Sequence, residues 1–303
     1  MFSLKQTCKF IFAGFICLLL FISCVTTEQT LYMQQAEVTG PISQPPIHLT
    51  DSTDTPSVTF SPKLSYNTNT TLTGSVDESR GLYGADTFYI PNATSLIWDM
   101  QTMYAGLDID LKVSRTFAIS LGVNYSSQPN FNAWGGTVGI GLFSYKEGSA
   151  FRFDVGLNIQ SMRYDVYTIV STVTTGFWGG TDEYTGFYWD TGKSTSINPY
   201  LNFTYNSAHK SWLVNFFINA GYSIQTLFSF EPRTSIHAFG TYTRTDLRGS
   251  TTAGFFNFTP GIYFFIGESN RILLGSRFFL ETQIEGADPT LFILPMIQFD
   301  FVL

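Results

Sequence analysis

An all-β fold, an antiparallel transmembrane β-barrel of about ten strands, is what this sequence predicts, on three observations. The first is long two-residue alternation. From Ala150 to Tyr164, the residues Phe151, Phe153, Val155, Leu157 and Ile159 alternate with Arg152, Asp154, Gly156, Asn158 and Gln160, the period of a strand with one apolar face. Soluble strands mostly stop at about five or six residues, whereas a tilted strand crossing a bilayer needs about nine to eleven. The second is composition: 17% aromatic residues beside 13% charged suits an apolar outer face with aromatic girdles better than a soluble surface. The third is a rhythm of short and longer connections, as between the two faces of an outer membrane.

The chain opens with Lys5 and Lys9 ahead of an apolar run from Phe10 to Ser23. That run is too short to span a bilayer as a helix and has the layout of a secretory signal peptide over residues 1–23. It ends in Leu20-Phe21-Ile22-Ser23-Cys24, which resembles a bacterial lipobox and makes Cys24 the expected lipidated residue. Cys8 and Cys17 leave with the signal, so the mature chain forms no internal disulfide. Removing Lys5 and Lys9 from the 16 basic residues leaves 14 against 23 acidic ones, which argues against a nucleic-acid partner. From Val25 to Pro56 there is no Lys or Arg, and Gly40-Pro41 and Pro45-Pro46 interrupt the chain. Residues 24–56 therefore read as a flexible, lipid-anchored tether, with His48 solvated within it. The barrel is expected over residues 57–303.

Within it, Val58, Phe60, Leu64 and Tyr66 mark a first strand, with a polar loop from Asn67 to Gly81. Met103 to Val113 and Phe117 to Tyr125 follow, and a three-residue connection, Ser114-Arg115-Thr116, keeps their apolar faces together. Val138 to Leu142 leads through a turn at Lys146 to Ser149 into the strand at Ala150. After a long connection from Tyr167 to Ser196 come strands from Ile197, Trp212, Phe256, Ile272 and Leu291, with a second long connection from about Ser229 to Ser250. Short connections fall near residues 115, 147, 208 and 268. A chain anchored on the periplasmic side at its start and ending on an inward strand needs an even strand count. Pro199, Pro260 and Pro295 lie inside strands, where a missing N–H predicts bulges or strand ends.

The inward face gathers Asp108, Asp110, Lys112, Arg152 and Asp154, then Arg271, Arg277, Glu281 and Asp300. Mixed charge in a narrow lumen is expected to form ion pairs, and with Tyr104, Tyr200 and Phe217 to fill the barrel against ion flow. Glycines 135, 139 and 141 on that face make room for Arg and Tyr side chains. The aromatic residues Phe177, Trp178, Tyr184, Phe187, Tyr188 and Trp189, interleaved with glycines, form the candidate recognition surface. Either the segment prolongs its two strands above the membrane as a hairpin whose rings pack together, or the rings stack on a surface glycan or an extracellular protein. No metal-ligand spacing and no cofactor motif occurs. Only His237, with Glu231 or Asp246, could serve an acid–base site at the rim.

Ile197-Asn198-Pro199-Tyr200, Phe258-Thr259-Pro260-Gly261, the final strand after Pro289, and Tyr89-Ile90-Pro91-Asn92-Ala93 resemble a family of uncharacterised outer-membrane lipoprotein barrels from Bacteroidetes. That resemblance implies a fold and an outer-membrane location, and no activity. The sequence reading is a lipid-anchored outer-membrane barrel among membrane lipids, structural or surface-binding and not an enzyme. A lipid or peptide hydrolase with its site at the external rim is the alternative, and a soluble lipocalin-like barrel a third reading.

Overall fold

The computed structural model describes residues 26–50, 56–76, 94–128, 130–146, 149–175, 180–207, 214–230, 233–238, 241–246, 249–282 and 291–303. Its strands are β1 (Thr26–Thr39), β2 (Ser57–Tyr66), β3 (Thr71–Val76), β4 (Thr94–Asp99), β5 (Met103–Lys112), β6 (Phe117–Ser127), β7 (Asn132–Lys146) and β8 (Ser149–Thr175). They continue as β9 (Thr181–Asn206), β10 (Asn215–Phe230), β11 (Arg233–Ala238), β12 (Thr241–Asp246), β13 (Gly249–Ile266), β14 (Asn270–Glu281) and β15 (Leu291–Val302).

Ten of these strands close a ring in the order β2-β5-β6-β7-β8-β9-β10-β13-β14-β15, with β15 pairing back onto β2 and every neighbour antiparallel. Closure leaves no sheet edge within the ring, the condition for a β-structure to cross lipid. One end of the barrel carries the short turns. There Val113 N–H donates to the Phe117 carbonyl at 3.0 Å, which fixes the three-residue connection 114–116, and Gly267 takes φ 73° between Ile266 and its partner Asn270. The other end carries the long hairpins, although β6 and β7 are joined there by 128–131 alone, because β7 begins earlier than the alternation at Val138 suggests.

Inside and outside are reversed relative to a soluble protein. Along β8, Phe151, Val155, Leu157 and Ile159 are exposed while Arg152, Asp154, Asn158 and Gln160 are buried. Exposed rings border the outward band. Trp134 stands against Tyr125 toward the hairpin end, centroids 4.9 Å apart, and Phe151 against Tyr205 toward the turn end, 4.8 Å apart. Phe151 pairs with Ser144, ten residues along β7 from Trp134. That is about 33 Å of strand at about 3.3 Å per residue, and about 25 Å of height once strands tilt by about 40°. An apolar belt of that height between two aromatic rings is the outer surface of a transmembrane barrel.

The connection from Tyr167 to Ser196 prolongs its two strands as a hairpin, one of the two readings the sequence leaves open: β8 and β9 hold one register from Ala150↔Asn206 to Thr175↔Thr181, and residues 176–179 lie outside the described residues. Other sequence expectations change. The second long connection contains the hairpin β11–β12. Pro199, Pro260 and Pro295 cause no bulge, since each keeps its register with one neighbour, opposite Leu157, Ile218 and Ser276. On the other side the ladder lapses: β9–β10 pairing stops at Tyr200, β15–β2 pairing stops at Met296, and β13–β14 pairing skips Thr259 and Pro260. The lost N–H is absorbed on one edge without a register shift. The register shift in that region lies between Thr226 and Phe228 instead.

The largest correction concerns the amino-terminal tether. β1 pairs antiparallel with the upper half of β8, from Thr26↔Thr175 to Thr39↔Arg163, above the point where β7 leaves the same edge. From Gly40 to Thr50 every residue is buried. This segment descends through the lumen, so Thr26 stands at the hairpin end while Val302, paired with Thr59, stands at the turn end. The start and finish of the described chain therefore lie at opposite ends, and not together as the periplasmic placement of both required.

Candidate functional site

The lumen is built by strand alternation, which turns Asn and Gln side chains inward on several walls. Those amides meet the backbone of the threaded segment. Gln160 and Gln225 both donate to the Pro41 carbonyl, at 2.6 and 2.7 Å, while Gln225 accepts from Ser43 N–H at 2.9 Å. Ile42 N–H donates to Gln101 at 2.8 Å. Asn202 donates to the Pro46 carbonyl at 3.0 Å and Gln298 to that of Ile47 at 2.9 Å. At the turn end, Arg271 donates to the Leu49 carbonyl at 3.2 Å, and Asn206 takes both backbone groups of Thr50, at 3.3 and 3.2 Å. A buried backbone needs such partners when no strand lies beside it. Prolines 41, 45 and 46 remove three donors that would otherwise need acceptors.

Two apolar layers seal the segment. Toward the hairpin end, Ile42 joins Ala36, Val38, Leu96, Trp98 and Phe255 in one buried cluster, and the Trp98 indole N–H donates to the Gly40 carbonyl at 3.0 Å. Toward the turn end, Ile47 and Leu49 pack with Phe217, Tyr263 and Leu273. His48, expected to be solvated, is only 2% exposed, and neither ring nitrogen has a hydrogen-bond partner among the described residues.

All nine lumen charges named from sequence are buried. Arg152 binds Asp110 through two bonds of 2.7 Å and Asp154 through one of 2.8 Å. Arg271 lies 3.4 Å from Asp300, which also accepts from Ser61 and Gln298 at 2.8 Å. Asp108 pairs with Lys63 at 2.5 Å, a residue missed in the sequence because β2 alternates weakly. Lys112 lies 5.3 Å from the Tyr145 ring. Arg277 and Glu281 are buried on β14, and Nε and Nη2 of Arg277 have no hydrogen-bond partner among the described residues. With Lys63 the buried set holds five basic and five acidic groups, so the lumen carries no net charge to draw ions.

The expected glycine accommodation takes this form: a Cβ on Gly141 would strike the Arg152 guanidinium and one on Gly139 the Tyr200 hydroxyl, while Gly135 makes way for Asn124. Tyr104, Tyr200 and Phe217 are buried inside. Side chains fill the narrowest barrels; in this ten-strand ring a chain segment fills what they leave.

Of the recognition candidates, Phe177 and Trp178 lie outside the described residues. Tyr184, Phe187, Tyr188 and Trp189 belong to β9, opposite Thr172, Ile169, Thr168 and Tyr167. The backbone here is a two-stranded extension of the wall, joined on its β8 edge by β1, β4 and β3. Cys24, the signal region and Glu231 lie outside the described residues. His237 pairs with Tyr242 and Asp246 with Arg233, four residues apart along β11–β12. Among the described residues no group of His, Cys, Asp and Glu could hold a metal.

No family model matches the chain, and no curated protein matches it. Among solved structures, LpxR from Salmonella typhimurium has a TM-score of 0.31 at 8% identity, covering 80% of this chain and 100% of that one. The translocator domain of autotransporter NalP from Neisseria meningitidis has a TM-score of 0.31 at 8% identity, with coverage of 81% and 88%. A loop-deletion mutant of OmpT, an outer membrane protein of Vibrio cholerae, has a TM-score of 0.23 at 9% identity, with coverage of 82% and 100%.

Proposed function

We propose that this chain is a lipid-anchored bacterial outer-membrane barrel that passes no solute and serves as a surface platform, structural or binding, with its hairpin end outward. One observation carries this reading: residues 40–50 occupy the lumen, hydrogen-bonded to the wall and capped by apolar layers, within a barrel whose outer belt suits a bilayer. A closed lumen leaves the extended hairpins as the working surface. The orientation follows the rule that short turns face the periplasm, and the motifs resembling Bacteroidetes lipoprotein barrels agree with the location. Outer-membrane lipids are the partners of the belt, and a glycan or an extracellular protein is the partner of the hairpins.

Two measurements test it. Intact mass of the purified protein is expected to show a chain starting at an acylated Cys24; a start elsewhere or absent acyl chains removes the anchor. Recognition is expected to fall when Trp178→Ala and Trp189→Ala are combined, assayed on glycan arrays and whole cells, with heat-modifiable gel mobility reporting the fold. Native mobility with unchanged binding would show that these aromatics are not the recognition surface.

A further inference from the structure

The lumen contacts read a polypeptide backbone more than side chains, and the direction of the segment they hold has a topological consequence. The wall donors reach the carbonyls of Pro41, Pro46, Ile47, Leu49 and Thr50, groups that any extended chain presents in sequence. The segment carries no Asp, Glu, Lys or Arg, which matches a lumen whose buried charges are already balanced. Its amino side, Gly40, is fixed to Asp99 and Trp98 at the hairpin end, and its carboxyl side, Thr50, to Asn206 at the turn end. β2 then begins at Ser57 opposite Lys112, at that same turn end. Residues 40–50 thus cross the height of the barrel once, and Thr50 and Ser57 stand at the same end.

We infer that the barrel is a passage for its own amino-terminal segment: the lumen is a binding site for extended, uncharged polypeptide, and it delivers residues 26–39 to the membrane face opposite the short turns. This rests on the membrane reading given above. The displayed stretch adds β1 to the free edge of β8, where backbone pairing holds it. The carboxyl end of β15 stays at the turn end, where the Val58 carbonyl accepts from Leu303 N–H at 2.8 Å. An amino-terminal anchor and a carboxyl-terminal strand end would then sit on opposite faces of one membrane.

Single-cysteine labelling tests this in the full-length protein. Gln35→Cys, half-buried on β1, and Thr30→Cys, further along β1, are compared with Glu268→Cys, exposed in the β13–β14 turn. A membrane-impermeant maleimide is applied to intact and to permeabilised cells, with the parent chain as blank. The β1 cysteines are expected to label fully in intact cells and Glu268→Cys only after permeabilisation. Labelling of β1 and turn cysteines from the same side, in protein that stays in the membrane fraction, overturns the passage while leaving the membrane reading intact. Recovery of the protein in the soluble fraction overturns both. The reverse pattern, with the turn cysteine accessible outside and β1 only inside, retains the passage and reverses the orientation.

Discussion

Removing residues 26–50 is expected to turn a closed barrel into one that conducts ions steadily in planar bilayers, the largest functional change any single alteration of this chain should produce. Segment and wall are close to balanced. Burying Ile42, Ile47 and Leu49 contributes about 1.5–3 kcal/mol each, and nine hydrogen bonds to the backbone of residues 41–50 add roughly 1 kcal/mol each. Fixing ten residues of backbone costs about 10–20 kcal/mol, so the two sides nearly cancel and the segment is only weakly held. The wall does not share that weakness, because its strands are paired around a closed ring. The shortened chain should still run as a folded band on heat-modifiable gels while the lumen opens along Gln160, Asn202, Gln225 and Gln298. Intact chain should stay shut, with brief openings in a Gln160→Ala, Gln225→Ala variant that loses both bonds to Pro41. A folded deletion variant that stays silent would show that Tyr104, Tyr200 and Phe217 close the barrel by themselves.

The wall was legible in the sequence because two constraints act on every residue of it. Lipid demands an apolar outer face and the pleat forces alternation, so the strand at Phe151, the turn at 114–116 and the ring of ten follow from pattern alone. The threaded segment obeys neither constraint. Gly40 to Thr50 has the prolines and small polar residues of a solvated linker, and its burial depends on partners spread from Gln101 to Gln298. A trace of it was present nonetheless. Inward positions carry Gln160, Asn202, Asn206, Gln225 and Gln298, amides with no matching partner on neighbouring strands, and such a lumen has either water or a peptide backbone to satisfy it. The upper halves of β8 and β9 were legible only as one of two readings of a long connection, for the opposite reason. Beyond the membrane both faces meet water or other protein, so Thr, Gly and aromatic residues mix and alternation fades although the ladder continues.

The charged lumen leads to the second large effect, on stability. Arg152 is 2% exposed and holds two carboxylates, Asp110 through a bidentate pair and Asp154 on its own strand. Arg152→Met keeps much of the volume but leaves both carboxylates buried without their cation. Removing one partner of a buried ion pair costs about 3–5 kcal/mol, and the urea midpoint of the purified barrel should fall accordingly. The loss comes from the stranded charges, not from the missing guanidinium, so it should be recoverable. Adding Asp110→Asn and Asp154→Asn to Arg152→Met removes the uncompensated charge and should return most of the midpoint, since a buried charge cluster exchanged for neutral groups of similar volume is often neutral in stability. Gly141 sets the geometry of this repair: it lies under the guanidinium, where a Cβ would collide, and the methionine side chain enters the same space. A triple variant no more stable than Arg152→Met would mean that Arg152 acts by filling space beside Gly141, and that charge balance in the lumen contributes little to the fold.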